Sequence, residues 1–121
     1  MKILVVDDES FVLESFGRFI GKQGHIALLA ENGTKAVELY KEQKPELVFL
    51  DIVLPDIKGD VVFKKIKEFD KDANVYFITG CHDEYVNAKE LKASGIFFKP
   101  IELEDIKKVI DDTDKRIKET K

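Results

Sequence analysis

Five short apolar runs, separated by amphipathic stretches, limit this chain to few folds. Residues 2–6 (KILVV), 25–30 (HIALLA), 46–50 (ELVFL), 74–79 (NVYFIT) and 95–99 (GIFFK) read as strands. Most are apolar throughout instead of alternating with polar residues, the pattern of strands covered on both faces. The segments between them carry helical periodicity. Residues 10–22 place Val12, Phe16, Phe19 and Ile20 at helical spacing, with Ser10 as the ordinary cap and Gly24 as a stop. Asn32-Gly33-Thr34 opens a second helix that carries Ala36, Val37 and Tyr40 on one side. A third, over about 60–69, turns Val62, Phe63, Ile66 and Phe69 inward. A fourth, over about 82–93, has the weakest apolar stripe, and a fifth, over about 103–118, aligns Leu103, Ile106, Val109, Ile110, Thr113 and Ile117. Strand and helix thus alternate five times. Parallel neighbours need crossover helices, and those helices cover both faces of the sheet. The expected fold is α/β: a (βα)5, doubly wound, five-stranded parallel sheet.

The length of 121 residues fits one domain, expected to span residues 1–121, and 44% apolar residues suffice for one core. The net charge of −4 and the lack of a long basic cluster argue against direct binding to nucleic acid. No stretch reaches the roughly 18 apolar residues that span a membrane, and the N-terminus turns acidic too soon for a signal peptide. Cys81 is the single cysteine, so no internal disulfide can form, and a cytoplasmic location is expected.

In a doubly wound sheet, ligands bind outside the carboxyl ends of the strands. The first strand delivers Asp7, Asp8 and Glu9 there, the third Asp51, the fourth Thr79 and the fifth Lys99. Each has an ordinary alternative. An acid before a helix can cap it, Asp51 can be a loop acid, Thr79 a strand former, and Lys99 surface charge. Capping does not account for three consecutive acids, and the residues converge from four strands on one edge. Clustered carboxylates repel, and a hard divalent cation relieves that repulsion. Mg²⁺ favours one or two carboxylates plus water and phosphate oxygens. A carboxylate held beside it can attack a phosphoryl group, with a lysine and a hydroxyl compensating the charge that develops.

With VVDDE (5–9), DIVLPDIKG (51–59), TG (79–80) and KP (99–100) in this order, the sequence resembles a response-regulator receiver domain of two-component signalling, over essentially its whole length. The resemblance implies a flavodoxin-like, CheY-like sheet of order 2-1-3-4-5. It implies a switch that accepts a phosphoryl group from a sensor histidine kinase or a phosphotransfer protein and catalyses its own phosphorylation and dephosphorylation, rather than a turnover enzyme. Asp51 would be the phosphoacceptor. Asp7, Asp8, Asp51 and the backbone carbonyl of Val53 would hold Mg²⁺ (or Mn²⁺). Thr79 and Lys99 would contact phosphoryl oxygens, and Lys99-Pro100 would be a cis peptide. Pro55 and Gly59 would shape the loop after Asp51. The output would be contact with a downstream protein or effector domain, from a monomer or a phosphorylation-dependent homodimer. A stand-alone receiver and an excised domain of a longer regulator both fit.

Two departures stand out. The span from Thr79 to Lys99 is about two residues shorter than the family norm, and the family's aromatic switch position, three before the lysine, falls on Ile96. Phe97 could serve only in a shifted strand, and both residues also read as ordinary strand and core positions. Val53 and Cys81, two positions after Asp51 and Thr79, cannot readily position a water, which predicts a long-lived phosphoryl group; for the thiol, an inert small residue is the simpler reading. A haloacid-dehalogenase-type phosphohydrolase would need a second Asp where Val53 stands. A flavin binder would need a neutral phosphate loop where DDES stands. A receiver-like module that is never phosphorylated would not need the full set of site residues.

Overall fold

The computed structural model describes residues 1–80 and 91–119. Within them run β1 (Lys2–Val6), α1 (Ser10–Lys22), β2 (Ile26–Ala30), α2 (Gly33–Gln43), β3 (Leu47–Asp51), α3 (Gly59–Phe69), β4 (Val75–Thr79), β5 (Gly95–Phe98) and α4 (Leu103–Glu119). All five strands are parallel in the order β2-β1-β3-β4-β5, so the expected topology is the one observed. The switch point lies between β1 and β3, where the chain reverses its direction of growth.

Alternate residues of the central strands feed two cores. Leu4, Val6, Val48, Leu50, Val75 and Phe77 face α2 and α3, meeting Ala36, Tyr40, Val62, Phe63 and Ile66. Ile3, Val5, Leu47, Phe49 and Ile78 face α1 and α4, meeting Phe16, Ile20, Ile106 and Ile110. Burial of each large aliphatic side chain contributes about 1.5–3 kcal/mol. The four fully buried residues of β1 (Ile3 to Val6) therefore anchor a strand that carries Asp7 into a solvent-free position.

Local signals act where the sequence places them. The Asn32 side chain accepts from Lys35 N at 2.8 Å and starts α2; Lys44, in the left-handed region at φ 47°, ends it before Pro45. Gly24, at φ 85°, turns the chain from α1 into β2. Thr113 sits in the apolar stripe of α4 because its hydroxyl donates to Val109 O at 2.7 Å.

Several expectations need correction. Glu9, not Ser10, occupies the cap position of α1, without a side-chain cap hydrogen bond. β2 is an edge strand, so Ile26 and Leu29 are exposed instead of covered. Phe69 is 47% exposed: it lies on the flank of α3, edge-on to Tyr40 at 6.2 Å, not beneath the helix. Leu103, the first residue of α4, is also exposed, and burial on that helix begins at Ile106. The helix expected over about 82–93 falls mostly outside the described residues; residues 91–93 are not helical, and Lys92 adopts φ 58°. Among the described residues no helix is long and apolar enough to cross a membrane.

Candidate functional site

The carboxyl ends of β1 and β3 lie side by side at the switch point, with Val6 paired to Leu50. Asp7 follows β1 directly, its amide still bonded to Ala30 O on β2, and is fully buried. Asp51 ends β3 and is 4% exposed. Asp8 is exposed at the rim. One carboxylate oxygen from each of Asp7, Asp8 and Asp51 lies within 4.8 Å of the others.

Lys99 reaches this cluster from the far side of β4. Its amide donates to Thr79 O at 2.8 Å, which fixes the backbone at the end of β4, and the Lys99–Pro100 peptide is cis. The Lys99 ammonium lies 3.0 Å from Asp51 Oδ2, 2.9 Å from Asp7 Oδ2 and 3.1 Å from Glu9 Oε1. It forms aligned hydrogen bonds to Asp51 and Glu9. At Asp7 the charges are close, yet Oδ2 has no hydrogen-bond partner among the described residues. We read that contact as Coulombic, because proximity without donor alignment leaves the lone pair unsatisfied. The other Asp7 oxygen accepts from Glu9 N at 2.9 Å.

The electrostatics follow from burial and crowding. Burial pushes the Asp51 carboxyl above its usual range, opposed by hydrogen bonds from Lys99 and the Val53 amide; the Asp7 charge adds to the upward push. Burial pulls Lys99 down, but Asp7 and Asp51 more than reverse this, so the ammonium is held above its usual range. Three acids share one lysine, and the buried oxygen of Asp7 lacks an aligned donor. Mg²⁺, an oxygen-seeking cation, fits that donor set.

The loop after β3 is tightly held. Val53 N donates to Asp51 Oδ1 at 3.0 Å, and Gly59 N donates to Ile52 O at 2.7 Å. A Cβ on Gly59 would lie 2.4 Å from Asp51 O, so α3 approaches the strand end closely only because residue 59 has no side chain. Thr79 is fully buried at the end of β4. Beside Lys99, an open groove of about 650 Å³ is lined by Phe11, Val12, Phe16, Pro100 and Ile101, among others.

Among the expected residues, the structure thus brings Asp7, Asp8, Asp51 and Lys99 together, with Thr79 and Val53 on the same edge. Ile96 and Phe97 go to opposite faces of β5: Ile96 joins the α2–α3 core, while Phe97 stacks on Tyr76 at 5.9 Å on the α1–α4 side. In β5, Ile96 pairs with Phe77 and Phe97 with Ile78 of β4. Cys81 lies outside the described residues. Two contacts escaped the sequence reading. Glu9 binds Lys99 from 90 residues away, and its place in the run of three acids is the one sequence signal for it. Asp56, which reads as an ordinary turn residue after Pro55, bonds to the start of α2.

The sequence matches the response regulator receiver domain family over residues 3–111. It is 36% identical to the chemotaxis protein CheY of Halobacterium salinarum over 113 residues, covering 92% of this chain and 94% of that protein. It is 31% identical to the sporulation initiation phosphotransferase F of Bacillus subtilis, covering 90% of each chain. A solved structure of the response regulator TrrA from Thermotoga maritima, in complex with Mg²⁺–BeF, superposes with a TM-score of 0.84 at 28% identity, covering 93% of this chain and 97% of that one.

Proposed function

The chain belongs to the response regulator receiver domain family, the phosphoacceptor domains of two-component signalling, and from that premise we propose that Asp51 is its phosphoacceptor. The observation that carries this reading is the convergence of Asp7, Asp8, Asp51 and Lys99 on one strand edge. A sensor histidine kinase or phosphotransfer protein presents a phosphohistidine. An Asp51 carboxylate oxygen attacks phosphorus, the P–N bond breaks, and its electron pair stays on the imidazole. Lys99 and the Thr79 hydroxyl hold phosphoryl oxygens as charge develops on them. Asp7, Asp8, Asp51 and the Val53 carbonyl would hold Mg²⁺ or Mn²⁺, which would neutralise the carboxylates and stabilise charge developing on the phosphoryl group.

A receiver domain is a signalling switch, and here the chain's own residues supply both phosphorylation and dephosphorylation. Phosphorylation at Asp51 exchanges the carboxylate partner of Lys99 for a phosphoryl oxygen, and this biases the surface toward a downstream protein or effector domain. We place the domain over residues 1–121, in the cytoplasm, as a monomer or a phosphorylation-dependent homodimer. Neither Val53 nor Cys81 carries a side chain that readily positions water, which supports a long-lived phosphoryl group. Val53→Asn should shorten that lifetime in a radiolabel-release assay.

The direct test is incubation with acetyl phosphate and Mg²⁺ followed by intact-mass spectrometry. Wild type gains one phosphoryl group and Asp51→Asn gains none. Equal labelling of the two proteins rejects the assignment.

A further inference from the structure

The loop that follows Asp51 is tied to a helix that contributes nothing to the acidic cluster. Asp56 accepts three hydrogen bonds at the start of α2: from Gly33 N at 2.8 Å, Thr34 N at 2.9 Å and Thr34 Oγ1 at 2.6 Å. The Thr34 hydroxyl, followed by these amides, holds the Asp56 carboxyl well below the usual carboxylate range, so it stays charged at the positive end of the helix dipole. An apolar contact runs alongside. A Cβ on Gly33 would lie 2.3 Å from Ile57 Cγ1 and 2.7 Å from Val62 Cγ2, so the absent side chain is what lets Ile57 close onto α2.

The other end of the loop is fixed by Gly59 N on Ile52 O. Between these two anchors lies Val53, whose amide donates to Asp51 Oδ1. The Val53 side chain is 54% exposed, so packing does little to hold that amide in place. Gly59 holds the Ile52–Val53 peptide on one side, and the chain runs from Val53 directly to the Asp56 anchor on the other. Nor is Asp56 needed as the cap of α2, since Asn32 already fills that role.

We propose that Asp56 is a positioning residue for Mg²⁺ binding and phosphoryl acceptance at Asp51, acting by tying residues 53–57 to the N-terminus of α2. The inference rests on the reading of Asp51 as phosphoacceptor. When the tie is cut, the Ile52–Val53 peptide is held from the Gly59 side alone, so the Val53 amide orients the Asp51 carboxylate less firmly. Loss of an outer partner of a metal-binding side chain typically lowers affinity by about 10–100-fold.

The test uses the full chain, with Mg²⁺ titrated by calorimetry and amide exchange at Val53 followed by NMR without metal. Asp56→Ala should bind Mg²⁺ roughly tenfold more weakly and exchange the Val53 amide faster. Asn32→Ala removes a cap from the same end of α2 without touching the loop; it should lower the melting temperature and leave both readouts unchanged. Asp56→Asn keeps one acceptor oxygen and replaces the other with a donor, so it should restore only part of the affinity. Wild-type Mg²⁺ affinity in folded Asp56→Ala, or an equal loss in Asn32→Ala, overturns the proposal. If Asp56→Ala does not fold, Thr34→Val, which deletes one of the three bonds, is measured instead; a smaller loss of affinity supports the tie and an unchanged affinity rejects it. Asp51→Asn, treated with acetyl phosphate in parallel, separates the two readings. A persisting adduct there defeats the Asp51 assignment, whereas its loss together with normal Mg²⁺ binding by Asp56→Ala defeats only the tie.

Discussion

The two ends of the sheet handle charge in opposite ways. At the amino ends of the strands, Lys2 N donates to Glu46 Oε2 at 2.6 Å, Lys2 Nζ to Gln43 Oε1 at 3.1 Å, and the Met1 amino group meets His25 Nδ1 at 2.9 Å. These groups are partly or fully exposed, and each has its own partner. At the carboxyl ends, Asp7 and Asp51 are buried, share Lys99 with Glu9, and leave one oxygen without an aligned donor among the described residues. Exposed pairs contribute about 0–1 kcal/mol, whereas removing one partner of a buried pair costs about 3–5 kcal/mol. The amino end is therefore energetically quiet. The carboxyl end holds unfavourable charge density that a cation or a phosphoryl group can exploit.

The largest effect that sharpens this contrast is expected from Lys99→Met. It strands two buried acids and should cost about 3 kcal/mol of metal-free stability in denaturant unfolding. Mg²⁺ should then stabilise the variant more than wild type, because the cation takes over the role of the ammonium. Equal gains in the two proteins would break the comparison. Next comes Gly59→Ala, where the new Cβ meets backbone at the Asp51 end of β3; overpacking of this kind costs about 1–3 kcal/mol. Chemical denaturation measures it, and a neutral result would show that the loop can move away.

A smaller effect, of opposite sign, is expected from Asp51→Asn without metal. Burial raises the carboxyl's pKa in the folded state, so the folded protein holds that proton more tightly than the unfolded chain does. The stability this group contributes is fully present below the ordinary carboxylate range and is lost as pH rises through the shifted value. Near neutral pH, Asp51→Asn should therefore melt above wild type, and the gap should narrow in acid. A variant that melts lower at neutral pH would mean that the Lys99 pair outweighs burial. The smallest effect belongs to the amino end: Glu46→Gln should change stability by no more than about 0.5 kcal/mol and leave Mg²⁺ binding alone.

Much of this was legible in the chain. Continuous apolar runs at 2–6 and 46–50 gave central strands, and strand ends gave Asp7, Asp8, Asp51 and Lys99. The misses share a physical cause. Phe69 and Leu103 fit a helical stripe, but periodicity reports which side of a helix a residue occupies and not whether the sheet extends beneath it. Ser10 has the chemistry of a cap, yet the helix starts where the chain leaves the sheet, and that places Glu9 at the cap position. Ile96 and Phe97 could not be ranked from spacing alone, since a one-residue slip exchanges the faces of a strand; pairing with β4 fixed the register.

The sequence by itself determined the order of strands and helices among the described residues, the doubly wound class and the acids at the first and third strand ends, because each follows from short-range periodicity and position along a strand. Only the tertiary structure decided that one lysine is shared among Asp7, Glu9 and Asp51, and that Asp56 ties the acceptor loop to α2. Those contacts join residues 22 to about 90 positions apart, and their partners are chosen by how the packed sheet and helices bring strand ends and loops together, which no local pattern encodes.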